Sequence, residues 1–257
     1  MKSNSLALLG TFALLLSLVS SLSATTVRRK NFDQLVKEAD MVAIGRVQNV
    51  HSLPTADKQY VYTYVTVGEL EILKGVYDDA QITLRMDGGD VGDGRRLVIP
   101  GIPKFHFNEH VVVFVKGNGQ SICPFVGWEQ GLLRVAKDER SGEAVVRSSR
   151  GQRIHGIRSG AFLVSPDEKK AQHQDGVFIL DSERGGSAGR TEQGETQQPQ
   201  LQLKATELQQ DLSLESLKQQ VHSLLQKTGY RKGTGVQVKS AQITFESPQT
   251  RRDKARN

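Results

Sequence analysis

Apolar positions change their period along the chain. Phe32, Leu35, Val36 and Ala39 fall at i, i+3, i+4 and i+7, which predicts one stripe of a short helix with Asn31 as its N-cap. From 41 onward the period drops to two or disappears, which predicts strands. The first covers 41–50, with Val42 and Ile44 on one parity. In 59–74, Val61, Thr63, Val65 and Val67 alternate against Tyr60, Tyr62, Tyr64 and Thr66. Further strands are expected at 81–86, 97–99, 110–116, 122–126, 131–136 and 143–147, the last two joined by a hairpin at Ser141-Gly142. The run Val111-Val112-Val113-Phe114-Val115 does not alternate and reads as a strand buried on both faces. Residues 87–96 are Gly-rich and polar, a loop, and Pro100-Gly101-Ile102-Pro103 is a turn. Segments 162–164 and 177–180 are edge strands or ordered loops.

Beyond 181 the pattern breaks. Residues 182–200 contain no Val, Ile, Leu, Met, Phe, Trp or Tyr, too little apolar surface to offset chain entropy, and predict a disordered linker. Leu214, Leu217, Val221, Leu224 and Leu225 then make one face of a helix over 211–229, with Ser213 as its cap and Gly229 as its stop. That face must dock back on the strands or meet a partner, because monomers rarely expose such a patch. Residues 230–257 are basic, with a strand possible at 236–245.

The beginning of the chain has its own logic. Lys2 precedes an apolar run over 6–19, followed by Ser20-Ser21-Leu22-Ser23-Ala24, the order of a secretory signal cleaved near Ser23 or Ala24. The run is shorter than the roughly 18–20 residues that span a bilayer. No Cys follows it, so a lipoprotein anchor is not expected. Arg28, Arg29 and Lys30 oppose export mildly. The expected product is periplasmic or secreted, without an integral membrane span. The division is thus a signal peptide over 1–24, a folded domain over 25–181, a linker over 182–200, and a C-terminal helix with basic tail over 201–257.

Composition narrows the chemistry. The net charge is +6, but residues 24–182 carry 21 basic against 20 acidic residues and 183–257 carry 12 against 8. The folded part therefore lacks the basic groove of a nucleic-acid binder. The tail Arg251-Arg252-Asp253-Lys254-Ala255-Arg256 could touch anionic surfaces instead. One cysteine, Cys123, excludes an internal disulfide framework and Cys-rich zinc modules.

Several segments together carry a resemblance. They are Phe32–Asp40 leading into Val42-Ala43-Ile44-Gly45-Arg46-Val47, then Tyr62–Val67, Glu71-Ile72-Leu73-Lys74-Gly75 and Ile82-Thr83-Leu84. Gly88-Gly89, Pro100–Phe105, Glu109–Phe114 and Val126-Gly127 through Gln130-Gly131 follow. Over about 25–147 the chain resembles exported bacterial proteins whose barrel is of the netrin-like or tissue-inhibitor-of-metalloprotease OB type. The resemblance implies a small closed barrel and no chemistry. Animal inhibitors of that shape reach the protease zinc through an N-terminal Cys. Here Ala24-Thr25 or Thr25-Thr26 stands at that place, so the inhibitory wedge does not carry over.

Candidate sites are few. His106-Phe107-Asn108-Glu109-His110 spells an inverted zinc-protease string, which needs a helix to bring both His to one metal. Here it runs into strand sequence, where residues four apart lie about 13 Å from each other, so a turn and strand are expected and no zinc. Asp87, Asp90 and Asp93, among glycines, offer oxygen ligands of the kind calcium takes, although their spacing fits neither the EF-hand string nor the Gly-Gly-x-Gly-x-Asp repeat. Trp128, Glu129 and Gln130 are candidates for ligand contact at a strand end. Cys123, in an apolar run, reads as an inert buried thiol. There is no Gly-x-Ser-x-Gly and no phosphate-binding Gly string. The expected fold is mainly β: a small OB-like barrel with a short N-terminal helix, then a disordered linker and an amphipathic helix. The expected function is non-catalytic: an envelope binding or scaffold protein with a protein partner, no cofactor and no nucleic acid. The alternatives are a regulator of a secreted metalloprotease or a hydrolytic enzyme.

Overall fold

The computed structural model describes residues 28–165, 178–179 and 210–243. The expected signal peptide, the 182–200 linker and the basic tail lie outside the described residues. The chain starts with helix α1 (Phe32–Glu38), held by a capping box: Asn31 accepts from the Gln34 backbone and Gln34 from that of Asn31. Phe32, Leu35 and Val36 are buried on its inner face. The strands β1 (Met41–Pro54), β2 (Val61–Lys74), β3 (Gln81–Asp87), β4 (Gly89–Asp90), β5 (Arg96–Leu97), β6 (His110–Val115), β7 (Leu132–Lys137) and β8 (Ala144–Ser148) follow. Then come β9 (Ile154–Arg158), β10 (Ala161–Val164), β11 (Phe178–Ile179) and helix α2 (Leu214–Lys227). The main sheet is antiparallel in the order β3-β2-β1-β6-β7-β8, with smaller sheets β11-β10-β9 and β4-β5. Its hydrogen-bonded ladder thus ends at β3 on one side and β8 on the other.

The sheet separates two cores. The non-alternating run in β6 explains why: Val112 and Phe114 face one core, Val111, Val113 and Val115 the other, and all five are fully buried. The first core takes α1, Ile154, Phe162, Val164 and the Leu214, Leu217, Val221 and Leu225 face of α2. Of the two ways to cover that face, the fold uses this chain's own strands. The second core holds Val65, Val67, Ile82, Leu84, Met86, Phe105, Cys123 and Phe125.

Two details at the end of β2 tie α1 to the sheet. The Lys74 ammonium donates to the carbonyls of Val36 (2.8 Å), Lys37 (2.9 Å) and Ala39 (2.6 Å), capping the helix C-terminus with a positive charge. Gly75 has φ +100°, and a Cβ there would sit 2.5 Å from the Asp40 carbonyl oxygen, so only glycine fits.

Several expectations need correction. The first strand runs four residues past 50, to Pro54. The loop at 87–96 contains the short β4-β5 ladder. Segment 122–126 is not a regular strand. Pro124 has no N–H to give, and pairing with β6 shrinks to Lys116 N–H to the Pro124 carbonyl and Val126 N–H to that of Phe114. Strand β9 has no counterpart among the expected strands. Residues 236–243 form no strand: Val238 N–H meets the Val76 carbonyl, and around β3 Ala241 N–H meets that of Thr83 while the Ser240 hydroxyl accepts from Thr83 N–H. The C-terminal segment thereby covers the outer edge of β3.

Candidate functional site

The three aspartates of the Gly-rich loop do separate jobs. Asp93 is exposed and ion-paired to Arg95, whose guanidinium holds its carboxyl below the usual range. Asp90 is exposed, accepts from Gly92 N–H at 2.9 Å and lies 4.0 Å from Arg96. Asp87 ends β3 and accepts the Tyr60 hydroxyl at 3.0 Å. Among the described residues, no three His, Cys, Asp or Glu side chains gather in a way that could hold a metal. His106 and Glu109 form a turn closed by a 2.7 Å contact, and His110 opens β6, as the strand reading expects.

Trp128, Glu129 and Gln130 lie together in a single 3-10 turn entered through left-handed Gly127 and Trp128. Trp128 is half-buried against the second core, with its ring over Gly101. Glu129 pairs with Arg150 at 2.5 Å. Gln130 accepts from Lys30 N–H at 2.7 Å and donates to the Arg28 carbonyl at 3.2 Å, pinning the lead-in to α1. Beside them opens a cavity of about 610 Å³ whose lining includes Arg28, Lys30, Asp40, Cys123 and Trp128. Two of its charged groups are held within the chain: Lys30 pairs with Glu38 at 2.6 Å, and Asp40 accepts Gly117 N–H. Burial pushes the Cys123 thiol up to about 12, so it offers no nucleophile at neutral pH.

A different surface emerges on the outer face of β1-β2-β3. Val65 and Val67 of β2 point into the second core, so the alternate positions, half-buried Tyr62 and buried Tyr64, point the other way. The strand registers put His51 opposite Tyr64 and Leu53 opposite Tyr62 on β1, and Arg85 opposite Tyr64 and Asp87 opposite Tyr62 on β3. His51 stacks on Tyr64 with centroids 5.5 Å apart and planes 18° apart. Tyr60 and Tyr62 lie 5.4 Å apart. The Arg85 guanidinium lies over the Tyr62 ring at 4.6 Å. Burial, with the hydrogen bond to Asp87 and its charge, raises the Tyr60 pKa. Burial also raises that of Tyr64, against the pull of Arg85. Both hydroxyls stay neutral at physiological pH.

Unsatisfied polar atoms occur here without an ion pair to compensate them. Among the described residues, eight buried side-chain polar atoms lack a hydrogen-bond partner, and His51 Nδ1, Arg85 Nε and Asp87 Oδ1 are three of them. The other five belong to ion-paired residues: Arg95 with Asp93, Glu109 with Arg134, and His155 with Asp211. Where no ion pair compensates, such an atom costs about 1–3 kcal/mol. Sequence reading named Asp87 but missed Tyr60, Tyr62, Tyr64, His51 and Arg85. The available signal was three tyrosines at alternate positions opposite a row of valines.

Compared with models of known families, with curated proteins and with solved structures, the chain matches none.

Proposed function

We propose that the chain is an exported, non-catalytic binding protein of the cell envelope, and that its ligand surface is the outer face of β1-β2-β3. One observation carries the reading. Tyr60, Tyr62 and Tyr64 share that face with three partnerless polar atoms, on His51, Arg85 and Asp87. A sheet face kept only for solubility would be charged and fully solvated. The three atoms are buried under the face's own side chains, and a face closed for good would have them paired. Aromatic rings fringed by unsatisfied polar groups suit reversible contact with something outside the chain.

The signal-like order of residues 1–24 supports export. The antiparallel sheet, with the C-terminal segment lying on its β3 edge, is compatible with an OB-like barrel of the netrin type. Among the described residues no helix is long and apolar enough to cross a membrane.

The test is cosedimentation of the purified chain with envelopes isolated from cells that express it. Retention that falls sharply in Tyr62→Ala, but not in Glu143→Gln on the β7-β8 hairpin, supports the reading. Equal retention of the two variants, or none of the unsubstituted chain, would sink it. N-terminal sequencing of the envelope fraction should find a chain that begins near Ala24 or Thr25. A cytoplasmic chain that keeps Met1 removes the export part.

A further inference from the structure

We propose that the open edge of β1 beyond Val47 takes an extended segment of a partner protein as an added strand, an inference that rests on the binding reading above and names the class of partner. The added strand borders the tyrosine face through His51 and Leu53.

Backbone partners along the main sheet single this edge out. At β3, the outward N–H groups of Thr83, Arg85 and Asp87 donate to the Ser240 hydroxyl (2.7 Å), the Asn118 side chain (3.1 Å) and the Ile122 carbonyl (2.8 Å). At β8, those of Val146 and Ser148 donate to the carbonyls of Leu212 (2.8 Å) and Gln152 (3.0 Å). The chain thus blunts both of these edges itself. The second half of β1 differs. Gly88 N–H meets the Val61 carbonyl, so Val61, Thr63 and Val65 turn their backbone groups to β3, and Tyr62, Tyr64 and Thr66 turn theirs to β1. The register pairs these three with Leu53, His51 and Asn49. Val50, Ser52 and Pro54 therefore turn theirs to the opposite side. On that side β6 pairs with Met41 through Arg46, and Val47 adds bonds to Glu109 and Asn108, both at 2.8 Å. The turn at 106–109 then ends the row. Among the described residues, nothing bonds the Val50 or Ser52 backbone on the open side.

The surroundings suit an incoming strand. Gln48 and Asn49 are exposed beside the edge. No Asp, Glu, Lys or Arg stands between Arg46 and Asp57, so the edge lacks the charged side chains that deter pairing. Pro54, with no N–H to leave bare, sets its far end. At the near end Phe107, 76% exposed, adjoins the Asn108 that closes the β6 row, an apolar contact for the end of the strand. Bare N–H and C=O groups at strand spacing are matched by an extended peptide backbone, which carries both at the same spacing. A second copy of the chain fits poorly. In a symmetric antiparallel pair centred on His51 or Ser52, Thr55 or Asp57 of the copy falls opposite Val47, where Glu109 and Asn108 already stand. A linear segment brings no such hairpin turn. Its side chains level with His51 and Leu53 lie on the tyrosine side of the sheet, which favours apolar or aromatic residues at alternate positions.

The experiment is amide hydrogen exchange and titration of the purified full chain, followed by NMR, with one probe: the acetylated and amidated peptide Lys-Thr-Val-Thr-Val-Thr-Val-Lys. In the chain alone, the Val50 and Ser52 amides should exchange at least about a hundredfold faster than those of His51 and Leu53, which β2 holds. Equal protection of all four means that the edge is already covered, and overturns the proposal. The peptide should bind with a Kd below about 1 mM and slow exchange at Val50 and Ser52. The same peptide N-methylated at every residue should not bind. Ser52→Pro removes one outward N–H without touching the β2 ladder and should weaken binding about tenfold, and Phe107→Ala should weaken it as well. The N-methylated peptide needs no variant, so it decides the matter even if Ser52→Pro unfolds. Binding that survives N-methylation, or that leaves Val50 and Ser52 unprotected, overturns the proposal. If the peptide does not bind while envelope retention still depends on Tyr62, the edge inference alone falls. If the peptide does not bind and retention is also independent of Tyr62, both readings fall.

Discussion

Lys74 and Asp211 are charged residues whose roles lie in the partners they hold. Lys74 satisfies three carbonyls at the end of α1. Lys74→Met keeps the aliphatic stem and loses the charged donors, so it should cost about 2 kcal/mol. Urea unfolding reads this as a lower midpoint with an unchanged m-value. The Asp211 side chain is fully buried and lies between Arg153 at 2.9 Å, Arg147 at 3.1 Å and His155 at 3.6 Å. Its neutral amide in Asp211→Asn would remove the carboxylate that both guanidinium groups share. Arg153 is 44% exposed and can turn to water, which places the cost near the low end of the range for a broken buried pair, about 3 kcal/mol. Neither role was legible in the sequence, because both partner sets are assembled by long-range contacts. The Leu-Lys-Gly string at 73–75 has a physical reason. Lysine caps a helix 35 to 38 residues away in sequence, and glycine makes room for a carbonyl.

The elements show where periodicity suffices and where it does not. Helix α1, helix α2 and strands β2, β3 and β6 follow from local pattern, because each buries a stripe or a face whose period its own sequence carries. Segment 122–126 and β9 do not, because Pro124 interrupts one ladder and β9 exposes a mixed face. The candidate site divides the same way. The tyrosine row is local and could have been read, whereas the approach of His51 and Arg85 depends on strand register. The start of β6 also carries a pH prediction. Burial would raise the Glu109 carboxyl, but hydrogen bonds from His106 and the charge of Arg134 outweigh it, and its pKa is lowered. A carboxyl depressed by folding adds stability that is complete above its unfolded pKa of about 4.3 and is lost as pH falls through the lower folded value. Stability should therefore fall on acidification below about pH 5, and the fall should be shallower in Glu109→Gln. Chemical denaturation at pH 7, 5, 4 and 3 measures both slopes, and parallel slopes would show that Glu109 contributes nothing to acid sensitivity.

At the scale of the whole molecule, the decisive fact is that residues far apart in sequence share one core. Leu214, Leu217, Val221 and Leu225 pack with α1, β1, β6 and β10. Lys218 pairs with Glu71 at 2.7 Å, and the Tyr230 hydroxyl accepts Gly75 N–H at 2.7 Å. A helix of 14 residues is marginal alone in water, so α2 takes its stability from this contact and gives stability back. Truncating one such leucine typically costs about 2–5 kcal/mol, against a total of about 5–15 kcal/mol for a domain. A chain ending at 182 lacks all four side chains and should not fold cooperatively, or should melt many degrees lower. A nick is a different matter. Arg184 and Arg190 lie in the stretch without apolar residues, and trypsin is expected to cut there first. Cleavage at those sites removes no residue of either core, so the N-terminal and C-terminal fragments should stay together and elute as one species on size exclusion, separating only in denaturant. Recovery of a folded N-terminal fragment alone, with a melting temperature close to that of the intact chain, would show that α2 is dispensable to the first core and that its leucine face is free to serve another molecule.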